Sequence, residues 1–352
     1  MGGLESARIH DSVLREVTER RSTPRLLAGL SAVPSAFLSC VEGDWKLGRV
    51  SSDRGLEVAP LNQQLLGIRA LLEYETGEPV LGEEYLERLL DALRASPERN
   101  FTSGRTSMAI CAIARITMVP DRLEIAEAIA RSVLAEQPVT PTLAMYAKAA
   151  LAMLAVENGD QSAAAEHHAY LLGQRGTMLW TIISVDRLLG LLSSTMGDMG
   201  QATQHFEDGI AFCRKAGYKP ERAWICCDYA DTLKMRAAEG ERLTMIALLD
   251  ESLAIATDLG MRPLVEKAAG LKDSLAGQTT ARTAYPDGLT RREVEVIRLV
   301  ASGKTDREIA EELIISINTV GNHVRSILNK TNSANRTEAA TYANQHGLIH
   351  SS

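Results

Sequence analysis

Along its first 275 residues the chain repeatedly interrupts an apolar helical pattern with a glycine or proline followed at once by an acid. The breaks stand at Gly43-Asp44, Gly77-Glu78, Pro120-Asp121, Gly159-Asp160, Gly197-Asp198 and Gly240-Glu241, at intervals of 34, 43, 39, 38 and 43 residues. Each is flanked by apolar residues at helical spacing. Leu143, Ala147, Ala150, Leu151 and Leu154 lead up to Gly159, and Ala202, Phe206 and Ile210 follow Asp198. The unit is helix, tight turn, helix, and a period in this range is that of helical-hairpin arrays.

Composition supports the same class. Hydrophobic residues make up 45% of the 352 residues and aromatics only 4%, and β-branched residues seldom run together. Helices packed on helices are expected, with almost no sheet. Residues 186–220 resemble a tetratricopeptide repeat: Leu189-Gly190 in a first helix, Ala202 and Phe206 in a second, Pro220 beyond. The small residues let the two helices approach, and Phe206 fills the gap between neighbouring hairpins. Other units keep the turn and the Ala/Leu pattern only, and the unit around Gly240 is lengthened by the polar RAAEGER. Residues 1–275 therefore read as a tetratricopeptide-like solenoid, whose concave face would bind a protein or small-molecule signal.

Residues 276–288, AGQTTARTAYPDG, are rich in Thr, Ala, Pro and Gly without periodicity and read as a linker. From Leu289 a second domain, residues 289–352, shows clean helix punctuation. Thr290-x-x-Glu293 and Thr305-x-x-Glu308 are capping boxes that open the first two helices, which end at Gly303 and near Leu313. Ser316 caps a third helix, and Ser333 or Asn335 a fourth. One apolar face runs through all four: Val294, Ile297 and Val300; Ile309, Ala310 and Leu313; Ile317, Val320, Val324 and Ile327; Ala339, Ala340 and Ala343. The second and third helices are separated by only three residues, which makes a helix-turn-helix.

Leu289-Thr290, Glu293, Gly303, Glu308-Ile309-Ala310, Leu313, Ser316, Thr319-Val320, His323, Ile327, Lys330, Arg336, Ala339 and Gly347-Leu348-Ile349 together resemble the LuxR-type helix-turn-helix domain of bacterial transcription regulators. The resemblance covers about sixty residues and implies an all-α fold, a tetratricopeptide-like solenoid followed by a small four-helix domain, with the third helix in a DNA major groove. At 100° per residue, Asn318, Asn322, Arg325 and Asn329 point away from a core side centred on Val320 and Val324. Asn suits adenine and Arg suits guanine, and Asn322 and Arg325 match positions where the family contacts DNA. Lys304, Thr305, Arg307, Ser316, Thr319, Lys330 and Arg336 complete the expected interface, the cations among them as phosphate contacts. Gly321 stands where the family usually has lysine. A mid-helix glycine costs about 1 kcal/mol relative to alanine, and the expectation is that it lets the helix backbone approach the duplex closely.

Residues 289–349 hold eight Lys/Arg and seven Asp/Glu, a net of +1 that leaves −8 for the rest of a chain whose total is −7. An acidic repeat region would repel DNA and leave the small domain to bind it. So weak a basic domain calls for a homodimer placing two recognition helices on half-sites one turn apart. In the family the fourth helix often pairs across the dimer, here RTEAATYANQHG. Double-stranded DNA, a second copy, a signal at the repeats and RNA polymerase are the expected partners; a membrane is not.

The charged N-terminus lacks a signal-peptide core and no run of 18 apolar residues occurs. Cys40, Cys111, Cys213, Cys226 and Cys227 form no Cys-x-x-Cys pair and read as reduced and buried, so a cytoplasmic location is expected. There is no phosphate-binding Gly-x-x-x-x-Gly-Lys run, no receiver-like pattern and no catalytic triad arrangement. His167 and His168 are neighbours pointing about 100° apart, without a third metal ligand at suitable spacing. No enzyme, metal or cofactor is expected. Helical repeats before such a domain also resemble the back half of the large ATP-binding LuxR regulators. The chain would be a free-standing regulator or a remnant of such a protein; the alternatives are a repeat scaffold whose helix-turn-helix has become a protein-binding module, or a regulator of an enzyme, which would need a ligand-sized pocket.

Overall fold

The computed structural model describes residues 8–13, 25–95, 103–117, 122–135, 139–179, 182–236, 240–282, 286–289, 291–313, 317–346 and 348. It divides into two units, residues 1–271 and 272–352, and each is a packing of helices.

The first unit contains six successive pairs: α1 (Arg25–Glu42) with α2 (Trp45–Val58), α3 (Gln63–Glu75) with α4 (Pro79–Ala95), α5 (Ser103–Thr117) with α6 (Leu123–Ala135), α7 (Pro141–Asn158) with α8 (Gln161–Leu171), α9 (Val185–Thr195) with α10 (Met199–Ala216), and α11 (Lys219–Arg236) with α12 (Arg242–Leu259). Helix α13 (Arg262–Arg282) follows, continuing seven residues into the stretch read from the sequence as a linker.

The glycine–acid breaks are the turns inside the pairs. Gly43, Gly77, Gly159, Gly197 and Gly240 all have left-handed backbone, with φ between 64° and 111°, a conformation that costs other residues a Cβ clash. At four of them the N–H of the following acid reaches the carbonyl five residues back: Asp44 to Ser39, Glu78 to Glu73, Asp160 to Ala155 and Asp198 to Ser193, at 2.8–2.9 Å. Three of the acids then cap the next helix, Asp44 accepting from Leu47 N, Asp160 from Ser162 N and Ala163 N, and Asp198 from Gln201 N. Two residues thus satisfy the loose ends of two helices, each cap being worth about 1 kcal/mol. Pro120-Asp121 lies outside the described residues.

Gly190 of α9 lies directly under the Phe206 ring of α10. A Cβ at Gly190 would come within 2.7–2.9 Å of that ring, and Phe206, fully buried, stacks on Tyr229 of the next pair at 5.3 Å. A short antiparallel ladder of β1 (Met178–Leu179) and β2 (Ile183–Ser184) interrupts the array. Its signal in the sequence is the β-branched and aromatic run TMLWTIIS.

The stack closes on itself. Trp45 donates its indole N–H to Leu259 O at 2.8 Å, Arg262 donates to Thr76 O at 2.9 Å and Gly77 O at 2.8 Å, and Trp224 donates to both carboxylate oxygens of Glu75 at 2.9 and 3.0 Å. Asp228 of α11 gathers three cations of the same unit, receiving Arg187 Nε at 2.8 Å, Arg115 Nη2 at 3.0 Å and Lys267 Nζ at 3.3 Å. Glu221 takes the other side of Arg187 at 3.0 Å and both donors of Ser184 at 2.7 Å. Burial alone would raise the Asp228 carboxyl, but Arg115, Arg187 and Lys267 hold it well below the usual carboxylate range. This buried cluster draws together α5, α9, α11 and α13. The cavity beside it, lined by Glu75, Arg115, Arg187 and Trp224, measures about 10 Å³, room for about one water.

Candidate nucleic-acid interface

The second unit holds α14 (Arg291–Ala301), α15 (Asp306–Leu313), α16 (Ile317–Lys330) and α17 (Arg336–Gln345). Its core contains Val294, Ile297, Val300, Ile309, Ala310, Val320, Ile327, Ala339 and Ala343, with Leu313, Val324 and Ala340 packed against it. Leu289, Val296 and Leu348 also belong to this core and were not read from the helical stripes, since two of them lie outside the helices.

Local chemistry sets the helix ends. Gly303 has φ +84° and Lys304 N reaches Leu299 O at 3.1 Å, closing α14. At Thr305 the capping box is reciprocal: Glu308 N donates to Thr305 Oγ1 at 3.4 Å and Thr305 N to Glu308 Oε2 at 2.7 Å. Asn335 caps α17 by accepting from Glu338 N at 3.0 Å, so of the two residues considered for this role Asn335 holds it. Thr290 and Ser316 lie outside the described residues.

Helix α16 is anchored from behind. Glu293 of α14, 4% exposed, accepts from Ser326 Oγ at 2.6 Å and Lys330 Nζ at 2.8 Å. Val320 and Ile327 are buried in the core below, and Arg325 is exposed on the other side, as is Asn329. Asn318, Thr319 and Asn322 lie within the helix, but their side chains are outside the described residues. Gly321 is half-exposed, and a Cβ built there meets nothing within 4 Å. Nothing described inside the domain requires a glycine at this point.

The expected phosphate contacts already have partners. Lys304 pairs with Glu312, Arg307 with Glu311 at 3.3 Å, and Lys330 with Glu293. Arg336 holds Asp306 Oδ1 and Lys304 O, each at 2.5 Å, tying α17 to the start of α15. Thr305 is exposed at the start of α15. Except for Lys330, with its buried partner, these are surface pairs of small energy. A phosphate arriving at one of them exchanges one anion for another.

Residues 287–343 match the family model for bacterial regulatory proteins of the luxR family. The chain is 42% identical over 86 residues to the transcriptional regulatory protein LiaR of Bacillus subtilis, which is 22% of this chain and 41% of LiaR. It is 49% identical over 61 residues to the uncharacterized transcriptional regulatory protein YvfU of the same organism, 17% of this chain and 30% of YvfU. To the response regulator protein VraR of Staphylococcus aureus it is 48% identical over 61 residues, covering 17% of this chain and 29% of VraR. The chain therefore spans less than half the length of these relatives. The four-helix unit is a LuxR-family helix-turn-helix domain. Among the described residues, no helix is long and apolar enough to cross a membrane.

Proposed function

We propose that the chain is a sequence-specific, DNA-binding transcription regulator in which α16 reads the major groove and the helical repeats take a signal from a partner protein or small ligand. The observation that carries this is the mounting of α16: its apolar side is fixed by Val320, Ile327 and the Glu293 contacts, while Arg325 stands exposed on the opposite side. A helix held so can present Asn318, Asn322 and Arg325 to base edges. Arg307, Lys304, Lys330, Arg336, Thr305, Ser316 and Thr319 surround it as backbone contacts. Two copies pair on a two-fold site, and the signal changes the fraction of molecules whose two domains can span both half-sites. RNA polymerase is the partner through which a bound dimer would act, and the cytoplasm is where it would work.

Gly321 enters this reading directly. With open space at its Cβ position, the reason for glycine lies outside the described residues, and close approach of the helix backbone to the duplex supplies one. Binding selection on random duplex DNA with the intact chain tests the whole reading. An enriched two-fold motif that Arg325→Ala loses is the expected result; no enrichment at low salt from a folded sample overturns it.

One observation favours a second reading. The cations Lys304, Arg307, Lys330 and Arg336 are all paired with carboxylates of their own domain, and the family's lysine is missing at Gly321. That pattern suits a helix-turn-helix turned into a protein-binding module on a repeat scaffold. Salt separates the two: log affinity for DNA falls against log salt with a slope of about −0.9 per phosphate contacted, whereas protein docking through so few exposed charges shows little slope.

A further inference from the structure

We propose that the groove between α6, α7 and α8 binds an amphipathic small molecule with an apolar body and an anionic head, and that this is where the repeats take their signal. The inference deepens the sensing role above and rests on it. The groove encloses about 420 Å³, within the range of small-molecule sites and far larger than the space left at the centre of the unit. Leu134 of α6 and Leu151, Leu154 and Ala155 of α7 form an apolar lining, which suits a hydrocarbon or aromatic body.

The charges on the wall decide the head group. Of the acids there, Glu127 is taken by Arg131 at 2.7 Å, and Asp160 by the backbone N–H groups of Ser162 and Ala163, both at 3.0 Å. Glu166 is exposed, where solvent and salt screen it. Lys148 differs from these. It is half-buried, its Nζ lies 4.2 Å from the Tyr170 ring centroid, and it has no carboxylate partner among the described residues. The ring holds the ammonium in place without neutralising it, so Lys148, half-buried beside the apolar lining, is the cation that an anionic head could pair with.

His167 adds an independent observation. It lines the same groove at 8% exposure, and its Nδ1 has no hydrogen-bond partner. An unpaired buried nitrogen is costly, and a polar ligand atom reaching this wall would relieve that cost. Burial favours the neutral imidazole, which leaves Lys148 as the cation that selects an anion.

Fluorescence titration of the full chain with 8-anilinonaphthalene-1-sulfonate, an amphipathic anion, tests the site without DNA. Saturable binding to one site is expected, weakened at least tenfold by Lys148→Glu and clearly by Lys148→Gln. Ala163→Phe, which projects a ring into the groove from half-buried Ala163, should abolish it. Circular dichroism and melting curves establish that each variant is folded, and if Ala163→Phe is not, the two Lys148 variants decide. No saturable binding by the wild type, or equal affinity in the folded variants, overturns the proposal. If the probe binds as expected but leaves DNA selection unchanged, the site stands as a ligand site and the statement that it takes the signal is overturned.

Discussion

Replacing Glu75 by glutamine should make the protein more stable at alkaline pH and change little in acid. Glu75 is buried where the hairpin stack closes, with Trp224 donating to both its oxygens. Burial pushes its carboxyl from the ordinary 4.5 up to about 7, against the opposing pull of the Trp224 hydrogen bond and the Arg187 charge, and Glu221 adds to the rise. Between these two values the folded chain keeps a proton that the unfolded chain has released. Stability therefore falls as pH rises through the window and stays low above it. A displacement of this size corresponds to about 3 kcal/mol. Glutamine is neutral throughout and still accepts from the indole, so the variant escapes that loss. Urea unfolding of both proteins from pH 4 to 8.5 should give curves that nearly coincide at the acid end and separate by about 3 kcal/mol at the other, a difference in melting temperature of roughly 6–12 °C for a unit of this length. Other titrating groups are common to both proteins and cancel. A Glu75→Gln protein less stable than wild type at pH 8 would mean that the Arg187 charge outweighs burial, and the reasoning would be refuted.

Asp228→Ala strips one carboxylate from Arg115, Arg187 and Lys267 and should cost about 3–5 kcal/mol, as removing one partner of a buried pair does; an unchanged urea midpoint would show that the cluster contributes nothing. Gly190→Ala drives a methyl into the Phe206 ring and should cost about 1–3 kcal/mol, seen as a lower melting temperature of the repeat unit. Gly321→Ala meets no neighbour and should stabilise the helix-turn-helix unit by up to about 1 kcal/mol, while weakening DNA binding if the duplex approaches the helix at this point. Both effects are read from the same purified variant by thermal unfolding and by fluorescence anisotropy on the selected site.

What the sequence made legible is what one or two neighbouring residues decide. Glycine followed by an acid ends one helix and caps the next using atoms within five residues, so the hairpin boundaries could be read without any knowledge of the fold. The capping box at Thr305 and the stripe Val294, Ile297, Val300 are local in the same way. The closure of the repeats is of another kind. Trp224 meets Glu75 across 149 residues of sequence, Arg115 meets Asp228 across 113, and Arg187 and Glu221 read on their own as ordinary surface charges. Only the small rotation accumulated from pair to pair brings them together, and no spacing rule carries that sum. The same physics limits the reading of the DNA interface. Outward direction on α16 follows from helical period alone, which is why Arg325 could be assigned to the exposed side. Whether Lys330 or Arg336 is available to a phosphate depends on carboxylates 37 and 30 residues away, Glu293 and Asp306. Those partners also position the helices that must meet the groove. A cation of this type gives up an internal contact when it binds DNA, so its substitution changes stability and affinity together. Arg325 stands exposed on the side of α16 away from the core, where a base edge would meet it, and its loss should fall chiefly on affinity.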